Sequence, residues 1–153
     1  MLQGFFMLII ASPLVLANSS YSPSESRSGF IYFGLLVFVF GYLFEVIGDY
    51  QKSKFKRDPS NKGKTMKTGL WSLTRHPNYF GEAVLWWGIW LMVVPLPYFY
   101  LTIVSPIVLT WLLRYVSGVP LTEERKKGNK EFEDYKKEVP AFIPKVPGIK
   151  KRP

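Results

Sequence analysis

Charge-free apolar runs alternate with strongly basic segments along this chain. Leu2–Ala17 has no charged residue and ends in Asn18-Ser19-Ser20. Residues 30–48 are apolar and aromatic, broken only by Glu45. Tyr79–Val94 carries one charge, Glu82, and Tyr98–Val116 carries one, Arg114. A bilayer's hydrocarbon core of about 30 Å needs about 20 helical residues, with about 17 near the lower limit. The second and fourth runs meet that length; the first and third sit at its edge. A buried helix of a soluble protein shows a polar face at helical spacing, and FIYFGLLVFVFGYLF has none. The pattern predicts an all-α fold, a polytopic membrane helical bundle in one domain over 1–153. About four transmembrane helices are expected, near 2–17, 30–48, 79–94 and 98–116. The first run lacks the basic leader of a signal peptide and is expected to stay as a helix.

The charges between these runs give an orientation. The segment 49–76 holds Lys52, Lys54, Lys56, Arg57, Lys62, Lys64, Lys67 and Arg75 against Asp49 and Asp58, and the tail 117–153 carries 10 basic and 6 acidic residues. The connection 18–29 has only Glu25 and Arg27, and Pro95-Leu96-Pro97 has no charge. Basic connections stay in the cytoplasm. The loop 49–76, the tail and both termini are therefore expected there, at the endoplasmic reticulum in a eukaryote or the plasma membrane in a prokaryote. Within the tail, Thr122–Glu138 reads as a short charged helix with Thr122 as N-cap, stopped by Pro140. Pro144, Pro147 and Pro153 forbid another long helix.

Composition narrows the chemistry. Among 153 residues there is no Cys and one His. That excludes a disulfide framework, a zinc-thiolate site, an iron–sulfur cluster, a thiol nucleophile and a two-His metal site; no metal is expected. The net charge of +9 calls for an anionic partner: nucleic acid, lipid headgroups or a phosphate-bearing cofactor. A loop between two spans argues against nucleic acid. No glycine-rich dinucleotide fingerprint is present, so any nucleotide is held between helices.

Polar residues inside or beside the spans carry the functional signal, because burying them in lipid is expensive. Glu45 and Asp49, four apart, share a helix face; they either stand in interfacial water or turn inward to hold a ligand's polar groups. Glu82, one turn into the third run, is expected to turn inward. The stretch Thr68–Trp90 is the densest in polar chemistry. Pro77 suits a first helical turn, so Arg75-His76 precedes a helix whose free N–H groups make an anion site. Asn78 adds an amide, Tyr79 a phenol, and Gly81 permits close approach of a ligand or helix. Interfacial anchoring explains Trp86, Trp87 and Trp90 well and Arg75–Tyr79 poorly.

These residues resemble the C-terminal domain of the steroid 5-alpha-reductase family, in its poorly characterised short-membrane-protein branch. The blocks are Phe44-Glu45, Asp49-Tyr50-Gln51-Lys52, Gly69-Leu70-Trp71, Arg75-His76-Pro77-Asn78-Tyr79-Phe80-Gly81-Glu82, Trp86-Trp87-Gly88 and Ser117-Gly118-Val119-Pro120-Leu121. Phe132-Glu133-Asp134-Tyr135 and Phe142-Ile143-Pro144 complete the series, so the resemblance covers nearly the whole chain. It implies a reductase that passes hydride from NADPH to the C=C bond of a lipid or steroid-like enone. By position it gives Glu45 and Asp49 to the nicotinamide or ribose, Asn78 to the cofactor's polar core, and Arg75, Lys52 and Lys56 to phosphates. His76, Tyr79, Gly81 and Glu82 belong to the same cofactor block, and Tyr135 and Glu124 close the site from the tail. For the catalytic group that stabilises the developing enolate oxygen the candidates are Tyr79, Glu82 and Tyr135.

Two departures matter. The reductases proper carry an Arg and a His where this chain has Pro120 to Glu124. Family members also have further N-terminal helices, so the chain is expected to begin mid-family and to call for a partner supplying those helices. The Arg-His-Pro-x-Tyr-x-Gly block is also similar to that of isoprenylcysteine carboxyl methyltransferases. An S-adenosylmethionine-dependent methyltransferase is therefore the alternative enzyme, and an inactive remnant the non-enzymatic one.

Overall fold

The computed structural model of the chain describes residues 2–19 and 28–146, and every regular element among them is helical. The long helices are α1 (Leu2–Ser19), α2 (Ser28–Arg57) and α3 (Pro77–Val93), followed by the shorter α4 (Val104–Trp111), α5 (Val119–Glu124) and α6 (Lys130–Glu138). Single 3-10 turns lie at Pro59–Asn61, Gly69–Ser72 and Phe99–Ile103, and a π-helical turn at Leu112–Val116 continues α4. The connection 20–27, with Glu25 and Arg27, and residues 147–153, with Pro147 and Pro153, lie outside the described residues.

α2 runs past the apolar segment that announces it. Residues 49–57, DYQKSKFKR, contain neither Gly nor Pro, and Lys54, Lys56 and Arg57 in its last turn complement the helix dipole. The first nine residues of the expected loop are thus helix. At 30 residues α2 is about 45 Å long, half as long again as a hydrocarbon core.

Two stretches, Gly29–Arg57 and Phe99–Glu124, are long and apolar enough to cross a membrane, where four were expected. Gln3–Ser19 is apolar but shorter. With 17 residues, α3 reaches only about 25 Å. The outer face of α2 is open along its length, with Tyr32, Leu36, Phe40 and Leu43 all exposed. So continuous an apolar surface is tolerable beside lipid and not in water.

α2 and α3 pack antiparallel through glycines at seven-residue spacing. Gly34 faces Gly88, Gly41 faces Gly81, and Gly48 meets Pro77 and Asn78. A Cβ on Gly81 would lie 2.6 Å from the Gly41 carbonyl oxygen, so the two backbones touch with no side chain between them. α1 docks on α4, where the Ser105 hydroxyl donates to the Ile10 carbonyl. The core gathers Ala83, Leu109, Leu113, Val119 and Phe142; a second cluster, Phe132, Tyr135 and Val139, lies under the tail.

The tail forms two helices instead of the single one expected over Thr122–Glu138. Gly128 takes φ +84, a left-handed conformation that ends a helix and suits glycine. Asn129 then caps α6 by accepting from the Phe132 amide. Thr122 lies inside α5, and its hydroxyl donates to the Gly118 carbonyl rather than capping a start.

Candidate functional site

Everything converges where α3 begins. His76 is the N-cap, Pro77 occupies the first turn, and the Phe80 amide donates to the His76 carbonyl. The segment just before α3 is stitched to the tail. The Arg75 amide donates to Pro140 O, the Lys145 amide to Leu73 O, and the Thr74 hydroxyl lies 2.8 Å from Phe142 O. Phe142 then packs edge-on against Phe80.

At the centre is a knot of three charged or titratable side chains. Arg75 grips Glu123 with two donors, Nε to Oε1 at 2.9 Å and Nη2 to Oε2 at 3.2 Å. Its Nη1 donates to Lys136 O and Val139 O. His76 Nε2 lies 3.1 Å from Glu123 Oε1. The carboxylate must accept there, which leaves the proton on Nε2 and a bare lone pair on Nδ1. That Nδ1 is buried without a partner among the described residues, and the ring is 2% exposed. Burial holds the imidazole below its ordinary pKa, against the pull of Glu123, with the charges of Lys52 and Lys126 adding to the depression. Tyr79 stacks on His76 at 5.3 Å, and its hydroxyl lies 3.0 Å from that of Thr122.

The structure distributes the remaining sequence-derived candidates over three places. Glu45 and Glu82 are half-buried at the α2–α3 junction, near enough to feel one another and Asp49, which is itself exposed. None of the three carboxylates forms an ion pair among the described residues. Asn78 follows at the same junction with its Oδ1 buried and unpartnered. Gly81 faces the α2 backbone at Glu45, so its close approach is to a helix. Lys52 lies 4.7 Å over the Trp71 ring, and Lys56 is exposed one turn on.

Tyr135 is 2% exposed, with its hydroxyl donating to the Trp71 carbonyl. Burial raises its phenol pKa, so it stays protonated. Trp71 in turn donates from Nε1 to Gly48 O at 3.0 Å. Glu124 stands in solvent, 70% exposed and paired with Lys127, whereas its neighbour Glu123 enters the knot. Sequence reasoning singled out Glu124 and passed over Glu123; Val119 is the signal that was there, since it is buried four residues earlier on the same helix face.

Two hollows flank the site. One, of about 530 Å³, lies between the end of α2 and residues 61–69, against Tyr50, Phe55 and Met66. The other, of about 540 Å³, separates α5 from α6 and includes Glu123 in its lining. No group of His, Asp or Glu among the described residues is arranged to hold a metal ion.

Comparison with known proteins adds three findings. Over 73 residues the chain is 32% identical to the "Probable O-methyltransferase ustE" of Ustilaginoidea virens. That stretch is 48% of this chain and 26% of its relative, so the chain covers only that smaller part of the relative's length. No solved structure matches. Residues 1–139 match the family described as "Protein of unknown function (DUF1295)", and the chain belongs to that family.

Proposed function

We propose that the protein is a membrane-embedded methyltransferase that uses S-adenosylmethionine to methylate an oxygen of a lipid-soluble acceptor. The observation that carries this reading is the charge around Asn78. Glu45, Asp49 and Glu82 form no ion pair among the described residues, with the Lys52 ammonium within electrostatic reach of Asp49. Arg75, the nearest guanidinium in sequence, is taken up by Glu123 and two tail carbonyls. A surplus of carboxylates suits a sulfonium and an ammonium better than a chain of phosphates. The methyltransferase named among the relatives points the same way.

When bound, S-adenosylmethionine supplies an electrophilic methyl group. The chain's own residues bind and position. Glu45 and Glu82 stabilise positive charge in a half-buried setting, where electrostatic attraction is stronger than in water. Asn78 Oδ1, which has no partner among the described residues, would accept a hydrogen bond from a ligand's amino group. The stitched tail, Pro140 to Lys145 over Leu73 to Arg75, covers α3's start and excludes water. In this reading all four apolar runs cross the bilayer and both termini share one side, with α3 fitted to the membrane by local thinning.

A second reading keeps the reductase, with NADPH reducing the C=C bond of a lipid or steroid-like enone. It is favoured by Lys52 and Lys56 close to the same junction and by the resemblance of Arg75–Glu82 to the steroid 5-alpha-reductase C-terminal domain. The two readings separate in one experiment. The purified chain in nanodiscs is titrated with S-adenosylmethionine and, separately, with NADPH. We expect saturable S-adenosylmethionine binding, weakened about tenfold by Asn78→Ala through one lost hydrogen bond. Saturation by NADPH alone would establish the reductase, and binding of neither would favour an inactive remnant.

A further inference from the structure

The hollow between the end of α2 and residues 61–69 lies on the far side of α2 from the candidate site. Gly34, Gly41 and Gly48 mark the side of α2 that faces α3, and Lys52 and Lys56 continue that side at four-residue spacing. Tyr50 and Lys54, which line the hollow, stand about half a turn away from them. The hollow's walls are tied together: Gln51 Oε1 accepts from the Leu70 amide and Asn61 Nδ2 donates to Phe55 O, both at 3.0 Å. Its volume of about 530 Å³ falls in the range of small-molecule sites, about 300–1,000 Å³.

The charged residues of its lining are one of each sign, Lys54 and Asp58. Four apart in sequence, they form no ion pair with each other or with any other described residue. Asp58 Oδ1 accepts from the Ser60 amide at 2.9 Å. Hydrogen bonding from Ser60, with the Lys64 charge adding to it, holds this carboxyl below its ordinary pKa and keeps it ionised. Tyr50 and Phe55 give the hollow aromatic surface, which attracts ammonium groups, and Met66 gives it adaptable apolar surface. The order of these groups is what selects a ligand. Leu36, Phe40, Leu43 and Ile47 are exposed at spacings of four, three and four, one apolar stripe that Tyr50 and Lys54 prolong. The stripe runs straight into the hollow. From the bilayer towards water, this face therefore presents apolar side chains, then a cation, then an anion. A zwitterionic phospholipid presents acyl chains, then a phosphate, then an ammonium, in the same succession.

We infer that this stripe and hollow hold one zwitterionic phospholipid, its acyl chains along Leu36–Ile47, its phosphate on Lys54 and its ammonium on Asp58 beside Tyr50 and Phe55. The lipid is separate from the proposed methyl donor, because α2 stands between the two places. Lys54 and Asp58 each find in it the counter-charge that the protein does not supply, and a contact of this kind is of the strong, charge-assisted class.

The test uses the full chain purified in detergent, with lipid added back and retention read by native mass spectrometry. The probes are phosphatidylcholine, which carries both charges, and phosphatidylglycerol, which carries the phosphate without the ammonium. We expect the unaltered chain to retain phosphatidylcholine more tightly. Lys54→Gln should weaken both lipids about tenfold, through one lost charge-assisted contact. Asp58→Asn, which keeps a side chain able to cap residues 59–61, should weaken phosphatidylcholine by a similar factor and leave phosphatidylglycerol unchanged. Lys62→Gln, at an exposed position outside the hollow, is the control. Equal retention of the two lipids by the unaltered chain, equal losses of both in Asp58→Asn, or a loss in Lys62→Gln as large as that in Lys54→Gln overturns the site. Glycerophosphocholine, the same headgroup without acyl chains, should not displace the bound lipid. Displacement would give the hollow to a soluble zwitterion and overturn the role of the apolar stripe.

Discussion

Replacing Glu123 by glutamine removes the carboxylate that holds Arg75 through two hydrogen bonds and His76 through a third. The guanidinium is only 10% exposed and would be left with two tail carbonyls. Breaking a buried pair from one side costs about 3 kcal/mol. Glu124→Gln touches an exposed pair with Lys127 and should stay within about 0.5 kcal/mol. Thermal unfolding of both variants in detergent checks this; equal stabilities would remove Glu123 from the knot. The Arg75–Glu82 block was readable from residue types alone, because Pro after His marks a helix start. The choice between two adjacent glutamates was not. It depends on the register of α5, and the π-helical turn at Leu112–Val116 adds residues to the turn just before it. The bend at Ser117-Gly118 separates that turn from α5, so the apolar run does not carry the register of α5, and Glu124 rested on the family resemblance.

At the scale of elements, the α2–α3 contact is the most demanding. Gly81→Leu would drive a side chain into the Gly41 and Glu45 backbones, and overpacking of this kind costs about 3 kcal/mol. Gly4→Leu is the control, since nothing lies within 4 Å of a Cβ there; equal melting temperatures for the two variants would contradict the packing. The apolar runs made the helices legible, and charge-free stretches placed their middles correctly. Their ends were not legible. α2 continues through a basic segment because nothing in residues 49–57 breaks a helix, and the tail divides because Gly128 takes a left-handed conformation. Glycine spacing of seven was visible in the sequence, but only the paired backbones show that Gly81 faces a helix.

For the molecule as a whole, sidedness is the open geometric quantity. The sequence contains no cysteine, so single cysteines can be introduced without background. If all four runs cross, Lys62→Cys and Lys145→Cys react with an impermeant maleimide from one side of sealed vesicles, and Pro97→Cys from the other. Labelling of all three from one side would mean that α3, with its 17 residues, lies within one leaflet instead of spanning. Composition made the membrane reading legible through exposed apolar surface, whereas span number hinges on the two short helices that length alone leaves at the margin.

The glycine contact also bears on how a lipid could reach the candidate site. Where two helix backbones touch, no acyl chain can slip between them, so the α2–α3 seam is shut to lipid along its length. Those two helices form a fixed wall carrying Glu45, Asn78 and Glu82. On the proposed methyltransferase reading, an acceptor dissolved in the bilayer would arrive on another flank of α3, and a water-soluble donor would pass the stitched tail. That reading gives the two reactants separate doors.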